Sequence, residues 1–262
     1  MISSPPFYLS GIGKRKEKMK VKSKGVDHEE RDSEQVSRMF DEISGSYDRL
    51  NRVISLGRDL EWRRMAAKAT LDVCPKKILD VCSGTADMAI EIARTVGGNP
   101  IIDGVDFSPD ALDRGSKKLK KTGLEKVVRL KVADAESLPF DDSSYDAVTI
   151  AFGLRNIKDR NRALFEFKRV LRTGGRFVCL EFSRPDNRTL RHLVMFYLRN
   201  VVPLIAWSFR ADAGAYRYLA ETVAAFPDAP DLCGMLKDAG FVNTRYKKLF
   251  LGSAVIHIAD KP

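Results

Sequence analysis

A chain of 262 residues, 44% of them hydrophobic, is long enough for one α/β domain with an appendage or for two small domains, and it can bury a full core. Its formal net charge of +10 suggests a nucleic-acid groove. However, Lys14, Arg15, Lys16, Lys18, Lys20, Lys22 and Lys24 against the single Glu17 put more than half of that charge in residues 1–25, which argues against such a groove on the folded part.

Residues 1–30 lack apolar periodicity and are expected to be a basic, disordered tail. Three readings stay open for it: a solvated leader, an extension upstream of a start at Met19, or an electrostatic tether to anionic lipid, where each cation near the surface contributes about 1 kcal/mol. Its apolar residues come before the charges, the reverse of a secretory signal. Cys74, Cys82, Cys179 and Cys233 show no metal-ligand or redox spacing, and His28, His192 and His257 form no ligand or triad pattern. The reading is a reduced cytoplasmic chain with no metal site. No run of 18 apolar residues predicts a membrane-spanning helix.

The domain is expected to cover residues 31–262, opening with helices within 34–72. Val36, Met39, Phe40, Ile43 and Tyr47 follow helical spacing behind a cap at Ser33, and a second helix is predicted over 59–72. Strand–helix alternation follows. Strands are predicted at 77–81, 101–105, 127–132, 147–152 and 176–182. Helices are predicted at 87–95, 109–121 and 160–171, the last ending at Gly174-Gly175. Residues 184–219 break the rhythm as a lid-like insertion, and its run from Leu193 to Phe209 is apolar and aromatic. A helix near 230–239 and strands near 241–248 and 253–259 close the chain. The pattern predicts an α/β fold: a doubly wound, mostly parallel, seven-stranded sheet of Rossmann-like type with an antiparallel terminal hairpin.

The first strand leads into Asp80-Val-Cys-Ser-Gly-Thr-Ala-Asp87. Gly84, with small neighbours, lets backbone approach a ligand at a helix N-terminus. Asp106 closes the second strand, where a carboxylate can accept ribose hydroxyls. A dinucleotide fingerprint needs three glycines, and this loop has one glycine and two acids, Asp80 and Asp87. Acids repel phosphate and suit a ligand bearing an ammonium and a sulfonium. S-adenosylmethionine fits that pattern, with Asp134 near the adenine amino group and Ala135 against the ring. The expectation is a class I methyltransferase.

Several segments carry a closer resemblance: Y-D-R-L-N-R-V-I-S-L-G-R-D-L-E-W (47–62), G-L-R-N (153–156), R-V-L-R-T-G-G-R-F-V-C-L-E-F-S (169–183) and Y-R-Y-L-A-E-T-V (216–223). Over roughly residues 35–258 the chain resembles the ubiquinone/menaquinone biosynthesis C-methyltransferases. The resemblance implies methyl transfer from S-adenosylmethionine, without metal, to a ring carbon of a polyprenyl quinol: demethylmenaquinol, a demethoxylated benzoquinol, or both. It carries over Thr85, Asp106, Asp134 and Ala135 as cofactor contacts. Three positions depart from the family pattern. Ala86 stands where a glycine is usual, Asp59 where a basic or imidazole side chain is frequent, and Ala151 where a serine is usual.

The apolar strand Ala147–Phe152 runs directly into Gly-Leu-Arg-Asn, so it delivers a cation and an amide to a strand end. A phenol with a pKa near ~10 costs roughly 4 kcal/mol to ionise at neutral pH, and a fixed guanidinium beside its oxygen lowers that cost. Arg155 is expected to stabilise the quinolate and Asn156 to orient it, with Tyr47 and Asp48 completing the pocket or relaying a proton. The aromatic insertion suits an isoprenoid tail and peripheral contact with an anionic membrane. The competing readings are a small-molecule O- or N-methyltransferase, an RNA methyltransferase and a non-enzymatic binding module. The charge placement disfavours nucleic acid.

Overall fold

The computed structural model describes residues 52, 55–95, 100–204 and 213–262, with the backbone alone for 213–217. The basic tail, the helix expected from Val36, and the candidate residues Tyr47 and Asp48 lie outside the described residues.

Local signals set the elements. Ser108 accepts a hydrogen bond from the Ala111 N–H, Pro109 takes the first helical position, and Gly123 closes the helix in a left-handed conformation (φ 69°). Asp159, Asn187 and Asp228 cap three further helices in the same way. In chain order these are α1 (Asp59–Leu71), β1 (Lys77–Val81), α2 (Asp87–Thr95), β2 (Ile101–Asp106), α3 (Pro109–Thr122), β3 (Val128–Val132) and β4 (Tyr145–Ala151). A 3-10 turn (Leu154–Asn156), α4 (Arg160–Val170) and β5 (Leu171–Phe182) follow. Then α5 (Arg188–Phe196) runs into a π-helical turn (Tyr197–Val201). The chain ends with α6 (Ala213–Ala225), α7 (Ala229–Asp238), β6 (Val242–Leu249) and β7 (Ala254–Asp260).

The seven strands pair in the order β3-β2-β1-β4-β5-β7-β6. Only β7 runs against the others, between β5 and β6. This is the doubly wound sheet with a terminal antiparallel hairpin that the alternation predicts. β1 has β2 on one side and β4 on the other, so the order reverses at the carboxyl ends of β1 and β4. Open α/β sheets hold ligands at that point.

Apolar side chains fill both faces. One layer joins Trp62, Ala66 and Ile92 to Ile78, Ile102 and Val178. The other joins Leu164, Phe167 and Leu236 to Leu79, Val148 and Phe177. β4 is buried along its whole length, which is why its sequence is continuously apolar instead of alternating. Trp62 anchors α1 to the sheet by an edge contact with Phe182, centroids 6.3 Å apart.

Most boundaries shift by one or two residues, and β5 starts five residues earlier than expected, at Leu171. The helix predicted to run to residue 171 stops at Val170, and Leu171 already pairs with Tyr145 in the sheet. The pairing then slips before resuming at Ala147–Arg176. Gly174, at φ 74°, supplies the left-handed residue within that irregularity and donates its N–H to the Lys261 carbonyl. The two glycines thus shape a bulge inside a strand and do not end the helix.

Candidate active site

The loop after β1 is built from unusual backbone. Cys82 (φ 52°), Gly84 (φ 54°) and Ala86 (φ 67°) all occupy the left-handed region within five residues. Ala86 therefore keeps a glycine-like conformation although it carries a methyl group. Such residues persist where surroundings over-determine them, often around ligands. Ser83 donates its N–H to Val105 and its hydroxyl to Asp80, at 2.8 Å, which ties the loop to both neighbouring strands.

Asp80 is fully buried under this loop and also accepts the Thr149 hydroxyl at 2.9 Å. Burial pushes its carboxyl up to about 6, against the opposing pull of those two hydroxyls and of the Arg63 charge. Its side chain holds the loop from below. Asp106 holds it from the side: one oxygen accepts the Gly84 N–H at 2.9 Å and the other the Ser108 N–H at 3.0 Å. Apart from its chain neighbours, no atom of the described residues lies within 4 Å of where a Gly84 side chain would start, so the loop's outer face is open there.

Thr85 and Asp87 meet a residue that the sequence does not single out. Lys118 on α3 donates to the Thr85 hydroxyl at 2.8 Å and to the Asp87 carboxylate at 2.7 Å. Asp134 is exposed and caps its own turn by accepting the Glu136 N–H, while Ala135 is buried. Phe107, directly after Asp106, leaves its ring partly exposed beside these residues in the chain. An aromatic following a strand-end acid is the signal that could have marked it.

The second half of the site follows β4. Phe152 adopts a left-handed conformation (φ 61°) and packs on Phe182, centroids 4.6 Å apart. Gly153 follows because nothing larger fits: a side chain there would begin 2.4 Å from the Cys82 Cβ. The loops after β1 and β4 therefore touch. Arg155 is only 4% exposed. Its Nη1 donates to Glu181 Oε1 at 2.7 Å and to the Phe152 carbonyl, and its guanidinium lies over the Phe182 ring. The other Glu181 oxygen accepts the Arg155 N–H at 3.3 Å. Glu181 lies in the 169–183 segment, and the sequence alone assigns it no role. Its partner lies 26 residues away on the adjoining strand connection, and no local spacing reveals it.

Asn156 is half-buried and accepts the Tyr218 hydroxyl from α6 at 3.3 Å. Arg160 locks the turn by donating to the Leu154 and Arg155 carbonyls. Thus Arg155, Asn156, Glu181, Arg160 and Tyr218 form one polar cluster at the strand ends. Asp59 is buried at the start of α1, hydrogen-bonded to the Ser55 hydroxyl at 3.1 Å. His192 is exposed on α5, in keeping with a surface residue.

The insertion adds apolar surface. Leu193, Phe196 and Leu204 are all more than half exposed, while Leu198 and Val202 face the core. Among the described residues no helix is long and apolar enough to cross a membrane.

Comparisons with known proteins agree with this architecture. The model of the ubiE/COQ5 methyltransferase family matches residues 28–261. A demethylmenaquinone methyltransferase of Thermus thermophilus is 44% identical over 224 residues, covering 86% of this chain and all of that protein. The ubiquinone/menaquinone biosynthesis C-methyltransferase UbiE of Geotalea daltonii is 40% identical over 228 residues, 87% of this chain and 97% of its own length. Among solved structures, a SAM-dependent methyltransferase of Thermotoga maritima, described as a possible histamine N-methyltransferase, aligns with a TM-score of 0.59 at 16% identity. It covers 86% of this chain and 99% of that one. The [4+2]-cyclase SpnF aligns with a TM-score of 0.59 at 19% identity, over 88% and 96%. These two likenesses bear on the fold alone.

Proposed function

The chain belongs to the ubiE/COQ5 methyltransferase family, and from that premise we propose that it transfers a methyl group from S-adenosylmethionine to a ring carbon of a polyprenyl quinol. The substrate is demethylmenaquinol, the demethoxylated benzoquinol of ubiquinone synthesis, or both. The observation that carries the reading is the contact between the loop after β1 and the turn after β4, where Gly153 abuts Cys82. It brings a loop suited to the cofactor against a turn suited to a phenol.

The residues fit the cofactor. The open face at Gly84, the acids around it and the helix α2 that starts at Asp87 suit an adenosyl group carrying positive charge. When bound, S-adenosylmethionine supplies an electrophilic methyl group on a sulfonium. Asp106, which holds the loop through the Gly84 and Ser108 N–H groups, would receive the ribose hydroxyls at the end of β2. Thr85, Asp134, Ala135 and Phe107 would surround the adenosine, and Asp87, steadied by Lys118, would line the entrance of α2.

The quinol must lose a proton to become a good carbon nucleophile. Arg155 would face the ring oxygen as a donor whose orientation Glu181 fixes, and Asn156, held by Tyr218, would orient the same oxygen. Because Glu181 already balances the Arg155 charge, the turn contributes directed hydrogen bonds to the quinolate more than net charge. The exposed Leu193, Phe196 and Leu204, with Arg188, Arg191 and Arg199 in the same segment, would receive the isoprenoid tail at an anionic membrane surface.

The test is incubation with labelled S-adenosylmethionine and each reduced quinol in detergent micelles, with Arg155→Ala alongside. Label is expected in the ring of at least one quinol and is lost in the variant. Cofactor binding without label in either quinol would remove the proposed substrate class.

A further inference from the structure

Arg63 on α1 is a cation left out of the ionic network around it. Arg58 pairs with Glu61 at 3.8 Å, and Arg64 pairs with Glu91 at 3.1 Å. Arg63 lies between them and is far more buried than either, at 7% exposure. It makes no hydrogen bond or ion pair among the described residues, and its Nε is buried without a partner. What it does touch is the face of Phe152, 5.1 Å from the ring centroid.

A ring face does not account for that placement. A cation–π contact contributes roughly 0.5–2 kcal/mol, whereas withdrawing an ion from water costs several kcal/mol. Asp80 is near enough for its charge and that of Arg63 to interact, but its hydrogen bonds go to Ser83 and Thr149. The guanidinium thus lies over Phe152 at the end of β4, within charge range of Asp80 on β1, with its Nε unpaired at the switch point. It is preorganised for an anion that arrives from outside.

This inference rests on the cofactor reading above. S-adenosylmethionine carries one anionic group, the carboxylate of its methionine part. We infer that Arg63 is the residue that binds this carboxylate, while Asp80 beneath the loop supplies the charge opposite the neighbouring ammonium. α1 would then do more than pack on the sheet: it would close the amino-acid end of the cofactor site. Guanidinium and carboxylate match as two parallel hydrogen bonds, which also explains an arginine here in place of a lysine.

Three probes separate the contributions, each titrated calorimetrically into the full chain. S-adenosylhomocysteine has both the carboxylate and the amine. Decarboxylated S-adenosylmethionine keeps the amine alone, and 5′-methylthioadenosine has neither. Arg63→Met is expected to weaken S-adenosylhomocysteine by roughly tenfold or more. The other two probes should stay within about twofold of the wild type, and Arg63→Lys should recover part of the loss. Equal weakening of all three probes would mark Arg63 as a structural residue and overturn the inference, as would unchanged S-adenosylhomocysteine affinity in both variants. If Arg63→Met melts before titration, Arg63→Lys decides alone, since it keeps the charge and loses the planar fork. Wild-type protein that binds none of the probes would overturn the cofactor reading itself. Wild-type binding with silent variants would overturn Arg63 only.

Discussion

Arg155 and Glu181 form an ion pair of 2.7 Å with side chains 2% and 1% exposed. The pair joins the turn after β4 to the end of β5, so it holds together the two strand ends nearest the proposed ring-binding turn. The second Glu181 oxygen takes the Arg155 N–H, and its first also takes the Phe182 N–H. The carboxylate therefore organises backbone as well as charge.

Removing one member of such a pair leaves an uncompensated buried charge. Glu181→Ala is expected to lower stability by about 3–5 kcal/mol in urea denaturation. Arg155→Met combined with Glu181→Leu should recover most of that loss while leaving turnover absent. A Glu181→Ala midpoint equal to the wild type would show that the pair does not hold the turn.

At Gly153 the constraint is space. Gly153→Ala places a methyl against the Cys82 Cβ and is expected to cost roughly 1–3 kcal/mol, with weaker S-adenosylhomocysteine binding as the loop after β1 shifts. Because Cys82 itself sits at φ 52°, adding Cys82→Gly removes the obstruction and suits the backbone. The double variant should regain stability and affinity. If it does not, the contact between the two loops is not what Gly153 protects.

His257 is buried on β7, with Nε2 3.0 Å from the Ala229 carbonyl as the donor of a neutral ring. Burial lowers its pKa to about 4, from an ordinary 6.5. Between those values the unfolded chain binds more protons, so this group's contribution to stability falls as pH drops from 6.5, by about 3 kcal/mol at pH 4. Asp80 acts in the opposite sense. Its folded pKa of about 6 exceeds the ordinary 3.8, so the folded chain holds the extra proton in that window and gains stability as pH falls. Denaturation at several pH values should therefore show His257→Phe resisting acid better than the wild type and Asp80→Asn resisting it less well. Parallel pH profiles for all three proteins would refute both assignments.

Tyr218 reaches Asn156 from a different element, α6. Tyr218→Phe leaves the Asn156 amide free to rotate. Turnover is expected to fall by roughly tenfold, about 1.4 kcal/mol of transition-state stabilisation, with S-adenosylhomocysteine affinity unchanged. An equal loss in cofactor affinity would place Tyr218 in the cofactor site instead.

The chain by itself determined what depends on neighbours in sequence. The alternation of buried strands with capped helices follows from periodicity, from Ser108 and Pro109 at the start of α3 and from Gly123 at its end, and it predicts the doubly wound sheet. The strand-end acids and the Gly-Leu-Arg-Asn turn were legible for the same reason, since a residue's position along a strand fixes which end of the sheet it reaches. The tertiary structure decided the partners: Glu181 for Arg155, Lys118 for Asp87, Cys82 against Gly153 and Arg63 over Phe152. Those pairings depend on strand order, register and helix docking, which bring together residues 26 to 89 positions apart, and no local pattern in the sequence encodes such distances.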